Sequence, residues 1–280
     1  MTAAVAVVTD STADLTTSLT SRYGIRVVPL RIVAGAAAAD DGPGAWPDSI
    51  EAELRHGARL STASPAPERF AAAYAAAAQD AAGIVSVHLS GSLSGTVNSA
   101  LVAAAGTAVP VQVVDSRTLG MGLGFAVLDA AEAAAAGQPL EEVAEAARRR
   151  SARLHTFLAL DSLDGLRGGG RLEPARPGAA PGLTSRPLLH VADGRIEVLE
   201  RVRTRSAAQR RLEELAVAAA AGQRVDVAVQ HLDRAEDAAA LAGRLEQLIP
   251  GVRHRSLADA GHVILAHTGP GLLGVVVAPY

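Results

Sequence analysis

Cysteine is absent from the 280-residue chain, and so is lysine, which leaves arginine to supply all 26 basic residues. The first absence excludes disulfides, thiolate metal sites and thiol catalysis. The second excludes Schiff-base chemistry, a lysine nucleophile and a Walker-type phosphate loop with its lysine. A GC-rich coding bias accounts for both the missing lysine and the alanine tracts near 71–78 and 133–136. Aromatic residues make up 2% of the chain and the net charge is −3, so neither base stacking nor broad attraction to nucleic acid is expected. Long apolar runs are missing too. The tract from Gly83 to Val114 is broken by serines, glycines, Asn98 and Pro110, and the start "MTAAVAVVTD" has no basic residue before its short apolar run. No bilayer span and no export signal are predicted, which points to a cytoplasmic protein whose membrane contact would be transient at most.

What is present is a globular composition, 49% hydrophobic and 20% charged, in a chain long enough for one large or two modest domains. The first half alternates β-rich runs with alanine-rich helical stretches. "AVAVVTD", "IRVVPLRIV", "GIVSVHLS" and "VPVQVVDS" read as strands. Helices are predicted around 13–23, 65–82, 96–105, 119–136 and 140–150, and a loop over "AGAAAADDGPGAWPDS". Near-continuous apolar strands separated by helices argue a parallel sheet covered on both faces. After about residue 153 the texture changes. "HTFLAL" reads as a strand and "LDGLRGGGRLEPARPGAAPG" as a glycine- and proline-rich crossover. "PLLHVADGRIEVLERVRT" carries an Asp193-Gly194 hairpin signal. Helices near 206–221 and 235–248, the strand "RVDVAVQHL" and two apolar runs around a Gly-Pro-Gly turn complete it. The expectation is two α/β domains, residues 1–155 with a parallel, Rossmann-like sheet and 156–280 with a mixed sheet.

In open parallel sheets ligands bind beyond the carboxyl ends of the strands. Three strands of the first half end in hydroxyl-rich loops: Thr9 to Thr12, Ser90 to Thr96, and Asp115 to Thr118. A fourth stretch, Ser61 to Pro65, precedes a helix. Any single Ser or Thr there reads first as an ordinary helix cap. Ser90, Ser92, Ser94, Thr96 and Ser99 around one turn exceed what capping needs. Catalytic motifs fit poorly. Gly91-Ser92-Leu93-Ser94-Gly95 has leucine where a nucleophile elbow has serine. A Ser94–His267 pair with Asp10 or Asp115 stays open as a serine hydrolase acting on acyl esters, because geometry defines a triad. The glycines at 120, 122 and 124 miss the dinucleotide fingerprint and suit close helix packing. The eight histidines are scattered, so no metal and no cofactor is expected. A nucleotide-binding domain rests on fold analogy alone.

Several ordered stretches together resemble the DegV family of bacterial fatty-acid-binding proteins. They are "VVTDSTADL" (7–15), "STASPAP" (61–67), "HLSGSLSGTVNSA" (88–100), "VVDSRTLGMGLG" (113–124), "LRGGGRL" (166–172), "RPLLHVADGRI" with "RVRTR" (186–205) and "AHTGPGLLGVVV" (266–277). The resemblance implies a non-catalytic subunit. One long-chain fatty acid such as palmitate lies in a buried tunnel between the two domains, and its carboxylate is presented to a separate dihydroxyacetone-kinase-like subunit that makes the acyl phosphate. It further implies that Thr62 and Ser94 bind the carboxylate with His267 near the same head group, and that Arg171 faces the head group or the kinase. Arg203 and Arg205 lie in a matching stretch and read as partner-facing, whereas Arg148 to Arg150 read as a solvated helix end. Three positions depart from the family pattern: Gly168 stands in place of a basic residue, Gly91 of a serine, and Ala63 of the serine after Thr62.

Overall fold

The computed structural model describes residues 4–42, 47–172 and 185–280. Outside them lie the first residues of the N-terminal run, the "PGAW" centre of the predicted loop and the 173–184 part of the crossover. Among the described residues no helix is long and apolar enough to cross a membrane. The chain divides into two compact units, Met1–Ala152 with Gly261–Ala266, and Arg153–Ala260 with His267–Tyr280.

In the first unit, β1 (Val5–Asp10), β2 (Arg26–Val28), β6 (Gly83–His88) and β7 (Val111–Asp115) form a parallel sheet in the order β2-β1-β6-β7. Alternation along each strand sends side chains to opposite faces. Val7, Val85 and Val87 pack against Leu123, Val127, Val143 and Ala147 of α5 (Met121–Ala135) and α6 (Leu140–Ser151). Val8 and Ile84 meet Phe70, Tyr74 and Ala100 of α3 (Pro67–Ala77) and α4 (Thr96–Ala104). The sheet is covered on both faces, as the apolar strands predict.

A second, antiparallel sheet of order β4-β3-β5 joins β3 (Arg31–Ala34), β4 (Ala37–Asp40) and β5 (Leu60–Ala63). It was not expected. The run "IRVVPLRIV" is divided between two sheets at Pro29, which has no N–H for a ladder, and part of the predicted loop is β4. Leu30, Ile32 and Leu60 cluster with Val263. The helix predicted from residue 13 starts later: a 3₁₀ turn at Ser11–Ala13 ends at Asp14 in the left-handed region, and α1 is Thr17–Tyr23. α2 spans Asp48–Arg55. The glycines of α5 do serve close packing, since a Cβ on Gly124 would lie 2.6 Å from the Ala13 carbonyl oxygen. Arg148 and Arg149 pair with glutamates on the surface, but Arg150 is not solvated. It is 3% exposed, with Asp129 at 3.5 Å and its guanidinium over the Phe125 ring.

The second unit holds a six-stranded mixed sheet. Its strands are β8 (His155–Ala159), β9 (Arg186–Ala192), β10 (Arg195–Val202), β11 (Val225–His231), β12 (Val252–Asp259) and β13 (Leu273–Pro279), in the order β10-β9-β8-β13-β11-β12. Only β11 and β12 run parallel. Asp193 and Gly194 both take positive φ in the β9–β10 turn, which the Asp-Gly signal anticipated. α8 (Arg205–Ala220) and α9 (Ala235–Leu248) cover one face through Leu212, Ala216, Leu241 and Leu245. α7 is the short helix Asp164–Gly168. The first of the two apolar runs near the C-terminus is α10 (His262–Thr268), so the Gly-Pro-Gly segment joins a helix to β13.

Candidate functional site

The parallel strands of the first unit end in a buried polar chain. Tyr74 donates to Ser86 Oγ at 2.9 Å, Ser86 Oγ lies 2.7 Å from His88 Nε2, and His88 Nδ1 lies 3.0 Å from Asp10 Oδ2. Asp10 also accepts from the Leu89 and Thr12 amides at 3.0 and 3.1 Å and from the Thr12 hydroxyl at 2.5 Å. Asp10, Ser86, His88 and Tyr74 are all 0% exposed. Donation to a carboxylate places the imidazole hydrogen on Nδ1, leaving Nε2 to accept from Ser86. Burial pushes the Tyr74 phenol up to about 12, so it remains a donor. This is a Ser–His–Asp sequence of bonds, yet its serine is fully buried, and the Phe70 ring stands edge-on to His88 at 5.0 Å. Its effect is to fix the strand ends from which the next loop springs.

That loop, residues 89–95, divides its hydroxyls between two uses. Ser90 is buried and builds the turn: its Oγ accepts from the Ser92 amide at 3.2 Å and its carbonyl from the Leu93 and Ser94 amides. Asp115 accepts from the Gly91 amide at 3.2 Å, and a Cβ on Gly91 would come within 2.9 Å of that carboxylate. Ser94 belongs to the other use. The N-cap of α4 is Gly95 with no side-chain cap bond, so Ser94 does not cap. Its Oγ lies 2.9 Å from Ser64 Oγ and 2.9 Å from Thr96 Oγ1. Ser64 does not cap either, because α3 begins after Ala66 without a side-chain cap bond. A Cβ on Gly95 would sit 3.4 Å from Ser64 Oγ, an ordinary contact distance.

Thr62 stands two residues before Ser64. It pairs with Ile32 across β3 and β5, and directly opposed residues share a face of the sheet, so its side chain lies on the side of the Leu30, Ile32 and Val263 cluster. Ser94 is thus beside the segment that carries Thr62. A serine nucleophile needs a base within hydrogen-bond reach, and among the described residues both side-chain partners of Ser94 are hydroxyls. The hydrolase reading gains no support.

In the second unit, His267 is half-buried in the last turn of α10. Burial lowers its pKa and the Arg171 charge lowers it further, so the imidazole is held neutral. The glycines of "RGGGR" make room for it: a Cβ on Gly165 would lie 2.3 Å from the His267 carbonyl oxygen, and one on Gly169 2.9 Å from Nδ1. Among the described residues nothing lies within 4 Å of a Cβ on Gly168. Arg171 donates to the Gly169 carbonyl. Arg205 and Arg186 both pair with Asp161, while Arg203 is exposed. Sequence reasoning missed Ser64, whose Ser-Pro context reads as an ordinary helix start. Among the described residues no group of three His, Asp or Glu side chains is placed to hold a metal ion.

The model of a family described as "Uncharacterised protein, DegV family" matches residues 4–280. The chain belongs to the DegV family. A DegV domain-containing protein of Streptomyces coelicolor is 46% identical over 275 residues, covering 98% of each chain. Among solved DegV structures, one from Thermus thermophilus, reported for its fatty-acid binding, has 34% identity and a TM-score of 0.90. It covers 99% of this chain and 100% of its own. DegV of Bacillus subtilis, described as a fatty acid binding protein, has 29% identity, a TM-score of 0.90 and the same coverage.

Proposed function

We propose that this protein is a lipid-binding protein that holds one long-chain fatty acid, such as palmitate, and presents its carboxylate to a separate dihydroxyacetone-kinase-like subunit for acyl-phosphate formation. The observation that carries the reading is the Ser64–Ser94–Thr96 chain, in which Ser94 is spared from capping and meets no base among the described residues. Thr62 and Ser94 are the principal carboxylate donors. The family resemblance adds His267, which as a neutral imidazole brings no counter-charge.

Energetics divide the work. Burying about a dozen methylenes at ~0.8 kcal/mol each contributes on the order of 10 kcal/mol, against about 1 kcal/mol for each neutral hydrogen bond. The tail sets affinity and the hydroxyls set orientation. Neutral donors hold a carboxylate without burying an opposing charge, so it stays available as a nucleophile toward a phosphoryl donor on the partner. Arg171, Arg203 and Arg205 are assigned to the phosphorylated head or the docking surface. Arg203, exposed and with no ion pair among the described residues, has its charge available to an acidic partner.

Native mass spectrometry of freshly purified protein tests the binding step. A fatty-acid mass adduct, released on denaturation, is the expected result, and a clean apo mass from lipid-replete cells would overturn the proposal. For the transfer step, a kinase subunit of that class with ATP should form acyl phosphate only when this protein is added.

A further inference from the structure

We infer that Thr96 and Ser64 set the direction of the Ser94 proton, and thereby select a head group that accepts hydrogen bonds over one that can only donate them. The inference rests on the fatty-acid reading above and adds two residues and a head-group preference to it.

The argument is an inventory of hydrogens. Thr96 is 0% exposed, and among the described residues the one side-chain partner of its hydroxyl is Ser94 Oγ at 2.9 Å. A hydroxyl has one hydrogen to give and two lone pairs. If Thr96 accepted from Ser94, its own hydrogen would be buried with no acceptor, which native structures avoid. Thr96 therefore donates to Ser94, and the chain acquires a direction. One lone pair of Ser94 is filled from the core side, and its hydrogen must leave on the other side.

Ser64 lies there, also at 2.9 Å, and it is half-buried, so it can turn. With the site empty, Ser64 accepts the Ser94 hydrogen. When a carboxylate arrives, Ser94 swings its hydrogen to the head group and Ser64 reverses to donate into the second lone pair of Ser94. Every hydroxyl stays satisfied, and Ser94 becomes a donor polarised by two incoming bonds. An ammonium head meets the opposite situation. It finds at most one open lone pair on Ser94, and only while Ser64 takes the Ser94 hydrogen.

The test compares ligands with one tail and opposite heads, palmitate and hexadecylamine, titrated calorimetrically into the lipid-stripped full chain. The wild-type protein should prefer the acid. Thr96→Val, which keeps the shape and removes the hydroxyl, should lower the acid-to-amine affinity ratio about three- to ten-fold, the worth of roughly one net hydrogen bond. Thr96→Ser should restore it, which a packing role alone would not do. Ser64→Ala, at a site that leaves the core intact, should lower the ratio by a smaller factor. An unchanged ratio in folded Thr96→Val would overturn the inference, and if that variant does not fold, an unchanged ratio in Ser64→Ala does the same. Wild-type protein that takes up neither ligand would instead overturn the fatty-acid reading, and this inference with it.

Discussion

Asp10 and Asp161 hold their charges in opposite ways. Asp10, fully buried at the end of β1, is held by two amides, a hydroxyl and an imidazole. Asp161, just beyond β8 and with its side chain 31% exposed, is held by the guanidinium groups of Arg186 and Arg205. At Asp10 neutral dipoles satisfy the negative charge, and at Asp161 cations near solvent do. Dipoles fixed by the fold bind an anion and leave its charge unneutralised, whereas arginines neutralise it. Under the function proposed above, a carboxylate that attacks a phosphoryl group is better served by the first arrangement, and a docking surface for a charged partner by the second.

The contrast can be broken most strongly at Asp10. Asp10→Asn would turn one acceptor into an NH₂ facing donors, and removal of a buried, fully bonded charge should destabilise the protein by about 3–5 kcal/mol, read from the urea midpoint. In the second unit the comparable liability is packing. A methyl at Gly165 would meet the backbone oxygen of His267 at 2.3 Å, so Gly165→Ala should lower stability by about 1–3 kcal/mol, the usual range for overpacking.

Acid should distinguish the units more gently. Burial depresses the folded-state pKa of both His155 and His267 below 6.5, with Arg171 adding to the effect on His267. The unfolded chain therefore takes up these protons first as pH falls. The stability they confer is whole above about pH 6.5 and drains below it. Hydrogen exchange at pH 7 and pH 5 should show the amides of β8 and of His267 and Thr268 losing protection, and His267→Gln should reduce that loss. Equal protection at both pH values would contradict it. The smallest effect belongs to Asp161→Asn, which should leave the urea midpoint nearly unmoved because exposed ion pairs contribute little.

The strand–helix alternation of the first unit, the Asp193-Gly194 hairpin and the helices at 140–151 and 235–248 were legible because periodicity and turn chemistry agree there. The small sheet was not. Ala37–Asp40 has no β-branched residue, and it is a strand only because it pairs with Arg31–Ala34. "HVILAH" reads only as an apolar run, since four apolar residues suit a strand or a buried helix turn alike, and the fold makes it a helix with Val263 packed on the Leu30–Ile32 cluster. β12 was overlooked because Arg253, His254 and Arg255 interrupt its pattern at a sheet edge, where charges are at home. At the site, the density of hydroxyls in 88–100 was visible. Which of them are consumed by turns was not, because the partners of Ser94 come from position 96 and from a segment thirty residues earlier.

The segment Gly261–Ala266 belongs to the first unit although most of the second precedes it. It supplies Val263 to the small sheet and the Gly261 amide that donates to Asp14 at 3.1 Å. During synthesis, then, the amino-terminal unit remains unfinished on the ribosome until residue 266 has been added, and a nascent chain released at residue 152 would leave the platform behind Thr62 without its final piece.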